Sequence, residues 1–178
     1  ALLRSENRFR TAVDAVRGIL WTNTPEGRME GDQPGWAALT GQSRSQYQGY
    51  GWSDAVHPDD AQPTIDAWNT AVAERRTFDF QHRVRTASGE YRTYAIRAVP
   101  TLGRDGRVLE WVGVHTDVTE AKAAEVALRE SEARFRLMAD SAPSPVWLTD
   151  EDGNVEFVNQ ALEAFYGKPG ETFLGQVW

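Results

Sequence analysis

Histidine, the residue best suited to acid–base chemistry at neutral pH, is rare in this chain. It occurs three times, as His57, His82 and His115, and the chain contains no cysteine. Histidine can act as a general base, bind a metal ion or ligate heme. The lack of cysteine excludes thiolate catalysis, cysteine–metal sites and disulfides. It also agrees with the reducing cytosol, where disulfides are rare.

Each histidine has a structural and a functional interpretation. His57 opens the motif HPDD (57–60), where the two aspartates suit a helix start because negative charge stabilises helix N-termini; metal binding is the alternative. His82 lies on the apolar face of a predicted strand, as a hydrogen-bonded core residue or a contact to a pocket ligand. For His115, core packing and ligand contact both stay open.

No arrangement typical of an active site is visible. Asp59–Asp60 and Glu151–Asp152 suit a helix cap and a turn, and GQSRSQYQGYG (41–51) lacks the lysine of a phosphate-binding loop. No histidine lies in a helix of the phosphoacceptor kind. We therefore expect no catalytic residues and no metal site in this chain, and a kinase region would lie outside it.

Composition narrows the class of protein further. The 178 residues are 40% hydrophobic and 25% charged, as in globular proteins. The net charge of −7 argues against nucleic-acid binding, which depends on lysine and arginine neutralising phosphates. No apolar run approaches the roughly 18 residues that cross a bilayer. We expect a cytoplasmic segment without membrane contact, in a parent protein that is free to be anchored elsewhere.

Periodicity predicts the elements that position these residues. Alternating apolar residues predict a strand at 78–85. Further strands are predicted at 18–22, 91–100 and 107–117, and the last of these is apolar on both faces. Apolar residues at three- and four-residue spacing predict helices at 2–16, 63–75 and 118–140. Pro58 also suits a first helical turn, whereas Pro63 would distort the start of the middle helix or place it later. Asp117 is the predicted N-cap of the last helix.

The helix at 118–140 has a heptad seam formed by Ala121, Ala124, Leu128, Ser131, Phe135 and Met138. Such a seam is typical of paired helices, although alanine and serine weaken it. The helix is either a dimeric signalling helix or a solvated connector.

The chain also repeats itself. Residues 1–52 align without gaps with residues 127–178, and 15 positions are identical. The repeat includes ALLRSENRFR (1–10) against ALRESEARFR (127–136). A match of this length predicts a tandem copy of a whole domain. The stretch GRMEGDQPGW (27–36) is polar and glycine-rich, whereas the second copy has GNVEFVNQAL (153–162), so the first copy's second strand should be short or irregular.

The order of elements and three motifs resemble the PAS domain, a sensor module of bacterial histidine kinases. The motifs are GWSDAVHPDD (51–60), RVRTASGEYRTYAIRAVP (83–100) and EWVGVHTDVTEAKAAE (110–125). The resemblance implies an α+β fold with a five-stranded antiparallel sheet, short helices on one face, and N-terminal and C-terminal linker helices. It implies an upstream linker end at 1–16, a complete PAS domain at 17–117, a signalling helix at 118–140 and a truncated second PAS domain at 141–178.

The resemblance also implies functional residues. Asp117 and Thr119 fill the Asp-x-Thr motif that couples the sensor to its output helix. His115 aligns with a flavin-contacting glutamine of light-sensing members. The expected pocket residues are Trp21, Phe80, His82, Val84, Tyr94, Ile96, Trp111 and His115.

We expect a sensory and dimerisation module that detects a small ligand or partner. It would form a homodimer through its N-terminal and linker helices and signal to an output domain in the parent chain, a histidine kinase or a diguanylate cyclase. No cofactor is expected, since a flavin–cysteine adduct needs cysteine and helix 63–75 has no histidine for heme. The alternatives are a flavin- or heme-binding redox or light sensor and a purely structural interaction domain.

Overall fold

The structure is a computed structural model that describes residues 18–177. It divides into two compact units, one ending at Ala121 and the other comprising Lys122–Trp178. The helix predicted at 2–16 lies outside the described residues.

The first unit contains a four-stranded antiparallel sheet in the order β1-β4-β3-β2. Its strands are β1 (Gly18–Asn23), β2 (Phe78–Arg85), β3 (Tyr91–Leu102) and β4 (Val108–Asp117). All four were predicted from the sequence. In β4, Trp111, Gly113 and His115 are buried whereas the residues between them are only half-buried, so one face of the strand lies on the core.

Helices cover the inner face of this sheet. They are α1 (Pro34–Thr40), α2 (Arg44–Tyr47), a 3-10 helix (Gly51–Ala55) and α3 (Pro58–Glu74). Helix α3 begins earlier than the predicted 63–75, because Pro58 occupies its first turn and His57 caps it: Nδ1 of His57 accepts a hydrogen bond of 3.3 Å from the backbone N–H of Asp59. This confirms the helix-start interpretation of His57.

The prediction of a five-stranded sheet was wrong. The segment between β1 and α1 contributes single bridges from Met29 to Asn23 and to Gly49, and no strand. Gly27 and Gly31 flank it with φ of 79° and 73°. These left-handed conformations turn the backbone away from the extended geometry that a strand needs. The expectation of a short or irregular second strand is confirmed.

Helix α4 (Thr119–Ser141) follows β4 and starts one residue later than predicted. The second unit continues with β5 (Trp147–Thr149), β6 (Val155–Val158), α5 (Gln160–Tyr166) and a 3-10 helix (Gly170–Thr172). Helix α5 occupies the positions that align with α1 in the repeat. Its small core contains Val155, Leu162 and Phe173, which align with the buried Met29, Trp36 and Tyr47 of the first unit.

None of the helices within residues 18–177 combines the length and the apolar character that a membrane span requires.

Candidate functional site: a cavity under the sheet and the start of the exit helix

A small cavity lies between the inner face of the sheet and helices α1 and α3. Its volume is about 20 Å³, enough for one water molecule, which needs about 10–15 Å³. Pockets for drug-sized ligands have volumes of about 300–1,000 Å³, so a flavin or heme would have to displace several buried side chains. The lining residues are Trp21, Asn23, Met29, Trp36, Trp52, Thr64, Trp68, Phe78, His82, Ile96 and His115.

Half of the predicted pocket residues line this cavity, namely Trp21, His82, Ile96 and His115. The others belong to the same core without lining it: Phe80, Val84, Tyr94 and Trp111. Phe80 stacks on Phe78 with ring centroids 5.7 Å apart, and it is Phe78 that lines the cavity. Trp111 is fully buried against Trp68, 5.1 Å between ring centroids.

Sequence reasoning missed several lining residues, which come mainly from the helical layer: Asn23, Met29, Trp36, Trp52, Thr64, Trp68 and Phe78. Trp68 and Phe78 carried a usable signal, since they lie on the apolar faces of a predicted helix and a predicted strand. Trp36 and Trp52 lie in short elements between glycines, where no period can show which side faces the core.

A directed chain of hydrogen bonds crosses the cavity wall. Nε1 of Trp21 donates to Nδ1 of His115 over 2.7 Å, so the proton of a neutral His115 ring is on Nε2. Nε2 of His115 lies 3.1 Å from Nε2 of His82, which must then accept. Nδ1 of His82 lies 3.1 Å from Oγ1 of Thr64, which donates to the carbonyl oxygen of Asp60 over 2.7 Å. Both histidines are thus satisfied as neutral rings.

Burial keeps this pair uncharged. Desolvation lowers the pKa of His82 to about 4, and the carboxylate of Asp60 opposes this only weakly. Desolvation also lowers the pKa of His115 well below its usual value, with a further contribution from the neighbouring His82. The core therefore contains two imidazoles that stay neutral at physiological pH.

An ion pair joins helix α3 to strand β2 beside this chain. Arg83 donates through Nε and Nη2 to the two carboxylate oxygens of Asp60 over 2.8 and 2.7 Å. This hydrogen bonding from Arg83, against the cost of desolvation, lowers the pKa of Asp60 to about 2. The pair fixes the start of α3, which positions Thr64 against His82.

The start of helix α4 is bonded to the edge of strand β3. Oδ1 of Asp117 accepts from the N–H of Thr119 over 2.9 Å, and Oδ2 lies 3.2 Å from Nε of Arg92. Oγ1 of Thr119 accepts from the N–H of Thr93 over 2.9 Å, and the N–H of Val118 donates to the carbonyl of Thr93 over 2.9 Å. Because the helix begins at Thr119, its N-cap position is Val118. Asp117, predicted as the N-cap, therefore lies one residue before that position and still accepts from the N–H of Thr119.

Comparison with known proteins identifies the family. Residues 33–115 match the family model described as the PAS fold, and residues 133–178 match the model of a PAS domain. A crystal structure of a sensory box histidine kinase/response regulator from Burkholderia thailandensis is 30% identical with a TM-score of 0.54. The alignment covers 72% of this chain and 98% of that one.

Two curated proteins are also similar. The uncharacterized protein y4lL of Sinorhizobium fredii is 32% identical over all of this chain, which covers 21% of that protein. The probable diguanylate cyclase DgcE of Escherichia coli is 27% identical over 70% of this chain, which covers 11% of that protein. The chain thus spans about a fifth or less of the length of these relatives.

The α+β fold, with its antiparallel sheet, covering helices and exit helix, is that of a sensory domain. The chain belongs to the PAS family and is a PAS sensory module related to those of histidine kinases and diguanylate cyclases. No catalytic domain is evident within it.

Proposed function

We propose that this chain is the sensory and dimerisation module of a multidomain signalling protein, and that its signal leaves the sheet through the start of α4. The observation that supports this most is the bonding of Thr93 to Thr119 and Val118. It ties the first helical residue directly to the backbone of β3, so a movement of that strand must either move the helix or break these bonds.

The register of the sheet connects this junction to the cavity. Strand β3 lies between β2 and β4, and it pairs Tyr94 with His82 and Ile96 with His115. Thr93, the residue bonded to α4, directly precedes Tyr94. A rearrangement around the two histidines would therefore act on the strand that holds the helix. A signal that binds the domain can shift the equilibrium between two positions of the helix only by as much as its binding free energy differs between those two states.

The output belongs to the parent protein. The similarity to a sensory box histidine kinase/response regulator and to a probable diguanylate cyclase supports one of these two activities. We favour a histidine kinase of a two-component system, because the relative with the higher sequence identity of these two is named as one.

We expect Asp117→Ala and Thr119→Val to loosen the start of α4 while the sheet stays folded. Asp117→Ala removes the bond to the N–H of Thr119 and the ion pair with Arg92, and Thr119→Val removes both bonds between Oγ1 and the backbone of Thr93. Losing a helix cap typically costs about 1 kcal/mol. Amide exchange over the first two turns of α4 should become about fivefold faster in each variant, whereas exchange in β2, β3 and β4 should not change. Hydrogen exchange read by mass spectrometry measures both.

The matched control is Thr101→Val. Oγ1 of Thr101 also makes a bond to backbone, 3.1 Å from the carbonyl of Glu110, but at the opposite end of β3. This variant should leave α4 unchanged. In the full-length protein, output activity should change with Thr119→Val and not with Thr101→Val. A loss of protection throughout the sheet in Asp117→Ala would instead make this residue a support of the fold, and the coupling proposal would fail.

We also propose that α4 pairs with the same helix of a second chain. Among its seam residues, Leu128 and Met138 expose 61% and 60% of their surface within the chain. Phe135 is less exposed because its ring packs on Phe157, 5.1 Å between centroids. Apolar residues repeated at heptad spacing are typical of helix pairs. The proposed contribution of residues 1–16 lies outside the described residues.

Light scattering on the purified chain should show a dimer, and Leu128→Glu should weaken it by about tenfold or more, because it places a charge in an apolar seam. Val126→Glu is the control, since Val126 is 53% exposed on the same helix but lies off the seam. Equal weakening by both variants, or a monomeric wild-type chain, would rule out pairing through this seam.

A further inference from the structure

One aromatic pair in the second unit uses a residue that the proposed pairing of helices also needs. Phe135 belongs to the seam of α4, and its ring lies 5.1 Å from that of Phe157 in β6, between centroids, at an interplanar angle of 64°. Such edge-to-face pairs are favourable. The guanidinium of Arg136 lies 5.8 Å from the centre of the same Phe157 ring, within the range of a cation–π contact. Phe157 therefore holds two consecutive residues of α4.

The end of α4 is fixed beside this pair. Nδ2 of Asn159 donates to the carbonyl oxygen of Ala139 over 2.8 Å, and Oδ1 of Asp140 accepts from the N–H of Gln160 over 3.0 Å. Asn159 is fully buried, so its bond to Ala139 is shielded from water. Ala139 follows Phe135 by about one helical turn. These two bonds therefore position the ring of Phe135 against β6.

This contact distinguishes the second copy of the repeat from the first. In the ungapped alignment Phe135 corresponds to Phe9, whereas Phe157 corresponds to Gly31. Because glycine has no side chain, the first copy has no ring at this position to hold its own phenylalanine. Phe157 itself is only half-buried, and the core of its unit is formed by Val155, Leu162 and Phe173. The packing of that core therefore does not account for the ring of Phe157.

Phe135 cannot make both contacts at the same time. In a paired seam each side chain inserts into a hole formed by four residues of the facing helix. A ring enclosed in this way has no free surface for Phe157. Conversely, a ring that packs on Phe157 is withheld from the facing helix, and pairing is then left to the earlier part of the seam around Leu128. The two contacts are mutually exclusive.

We propose that Phe157 competes with helix α4 of a second chain for Phe135, and that this intrachain contact limits the pairing of the two helices. The proposal rests on the proposed pairing of α4 and adds a switch to it. When a signal favours pairing, Phe135 leaves Phe157, and the change reaches β6 of the second unit. The coupling is reciprocal, so an event that strengthens the contact with Phe157 weakens pairing by the same factor.

Phe157→Ala is expected to lower the dissociation constant of the dimer by about two- to tenfold, the effect of removing one aromatic pair from the competing state. Analytical ultracentrifugation of the whole chain measures this constant. The matched control is Phe165→Ala, which removes a ring that packs on Tyr166 of α5, 5.1 Å between centroids, and should leave the constant unchanged. Adding Leu128→Glu to Phe157→Ala should abolish the gain, because the gain depends on the seam.

A second measurement observes the contact itself, so it holds even if Phe157→Ala does not fold. Nuclear Overhauser cross-peaks between the ring protons of Phe135 and Phe157 should be strong in Leu128→Glu, which shifts the chain towards monomer, and weaker in the wild-type dimer. Equal cross-peaks in both, or equal dissociation constants for wild type and Phe157→Ala in a chain that dimerises, would overturn the competition and leave helix pairing standing. A chain that stays monomeric in both forms would overturn both proposals.

Discussion

Gly113→Ala is expected to lower the free energy of unfolding by about 3 kcal/mol or more, a large part of the stability of an ordinary domain. Gly113 pairs with Trp21 across β1 and β4, and the indole of Trp21 lies over it. A methyl group at position 113 would overlap three indole atoms. Trp21 would have to turn away, losing its bond of 2.7 Å to His115 and its packing on Trp68.

Urea denaturation followed by circular dichroism measures this loss. Gly35→Ala is the milder comparison. Its new methyl group would lie 3.1 Å from Cγ2 of Ile19 and 3.3 Å from the carbonyl oxygen of Leu20, so these neighbours would have to move by only a few tenths of an ångström, and alanine favours helix α1. We expect a change of about 1 kcal/mol or less for this variant. Adding Trp21→Leu to Gly113→Ala should restore part of the stability, since the overlap disappears. An unchanged urea midpoint in Gly113→Ala would show that Trp21 does not lie over this glycine.

Four of the five expected strands were predicted from the sequence, because the residue pattern of a strand is a local property. His82 and His115 were placed correctly on its inner face from their parity with neighbouring apolar residues. Met29 was less predictable, because the structure leaves only single bridges where the repeat has a strand. The same position in the repeat, Val155, begins strand β6. Gly153, the counterpart of Gly27, has a similar φ of 85°, but Phe157 stands in place of Gly31 and continues the strand.

The cavity could be predicted only in part. Its sheet side follows from periodicity, but its other side comes from elements too short to show a period, such as the seven residues of α1. Trp36 and Trp52 face the cavity because of how these short helices pack on the sheet, which is a tertiary property. The hydrogen bond between the two histidines is of the same kind, since it joins β2 to β4 across β3.

The pair of His82 and His115 leads to the second large expected effect, a loss of stability on acidification. Between pH 6.5 and about 4, acidification is expected to remove about 3 kcal/mol of stability through His82 alone. The folded state holds this ring neutral, whereas the unfolded chain protonates it near pH 6.5. The unfolded state therefore binds more protons in this window, and stability falls as the pH falls. His115 adds to the loss in the same direction, because its folded-state pKa is also lowered.

Asp60 acts in a different pH window, which makes the contribution of His82 separable from it. Asp60 has a pKa of about 2 in the folded state, so its contribution is lost only below its unfolded value of 3.8. Urea denaturation at intervals from pH 7.5 to 4.5 isolates the histidines. His82→Gln should reduce the slope of the unfolding free energy against pH in this window.

Protonation would also break the chain of hydrogen bonds. The two Nε2 atoms of His82 and His115 lie 3.1 Å apart, and only one of them can carry the proton between them. A second proton would place two donors face to face inside the core. The pair should therefore resist charging until the core opens, and the loss of stability should come with faster amide exchange in β2 and β4. A wild-type unfolding free energy that does not change between pH 6.5 and 4.5 would contradict a buried neutral pair.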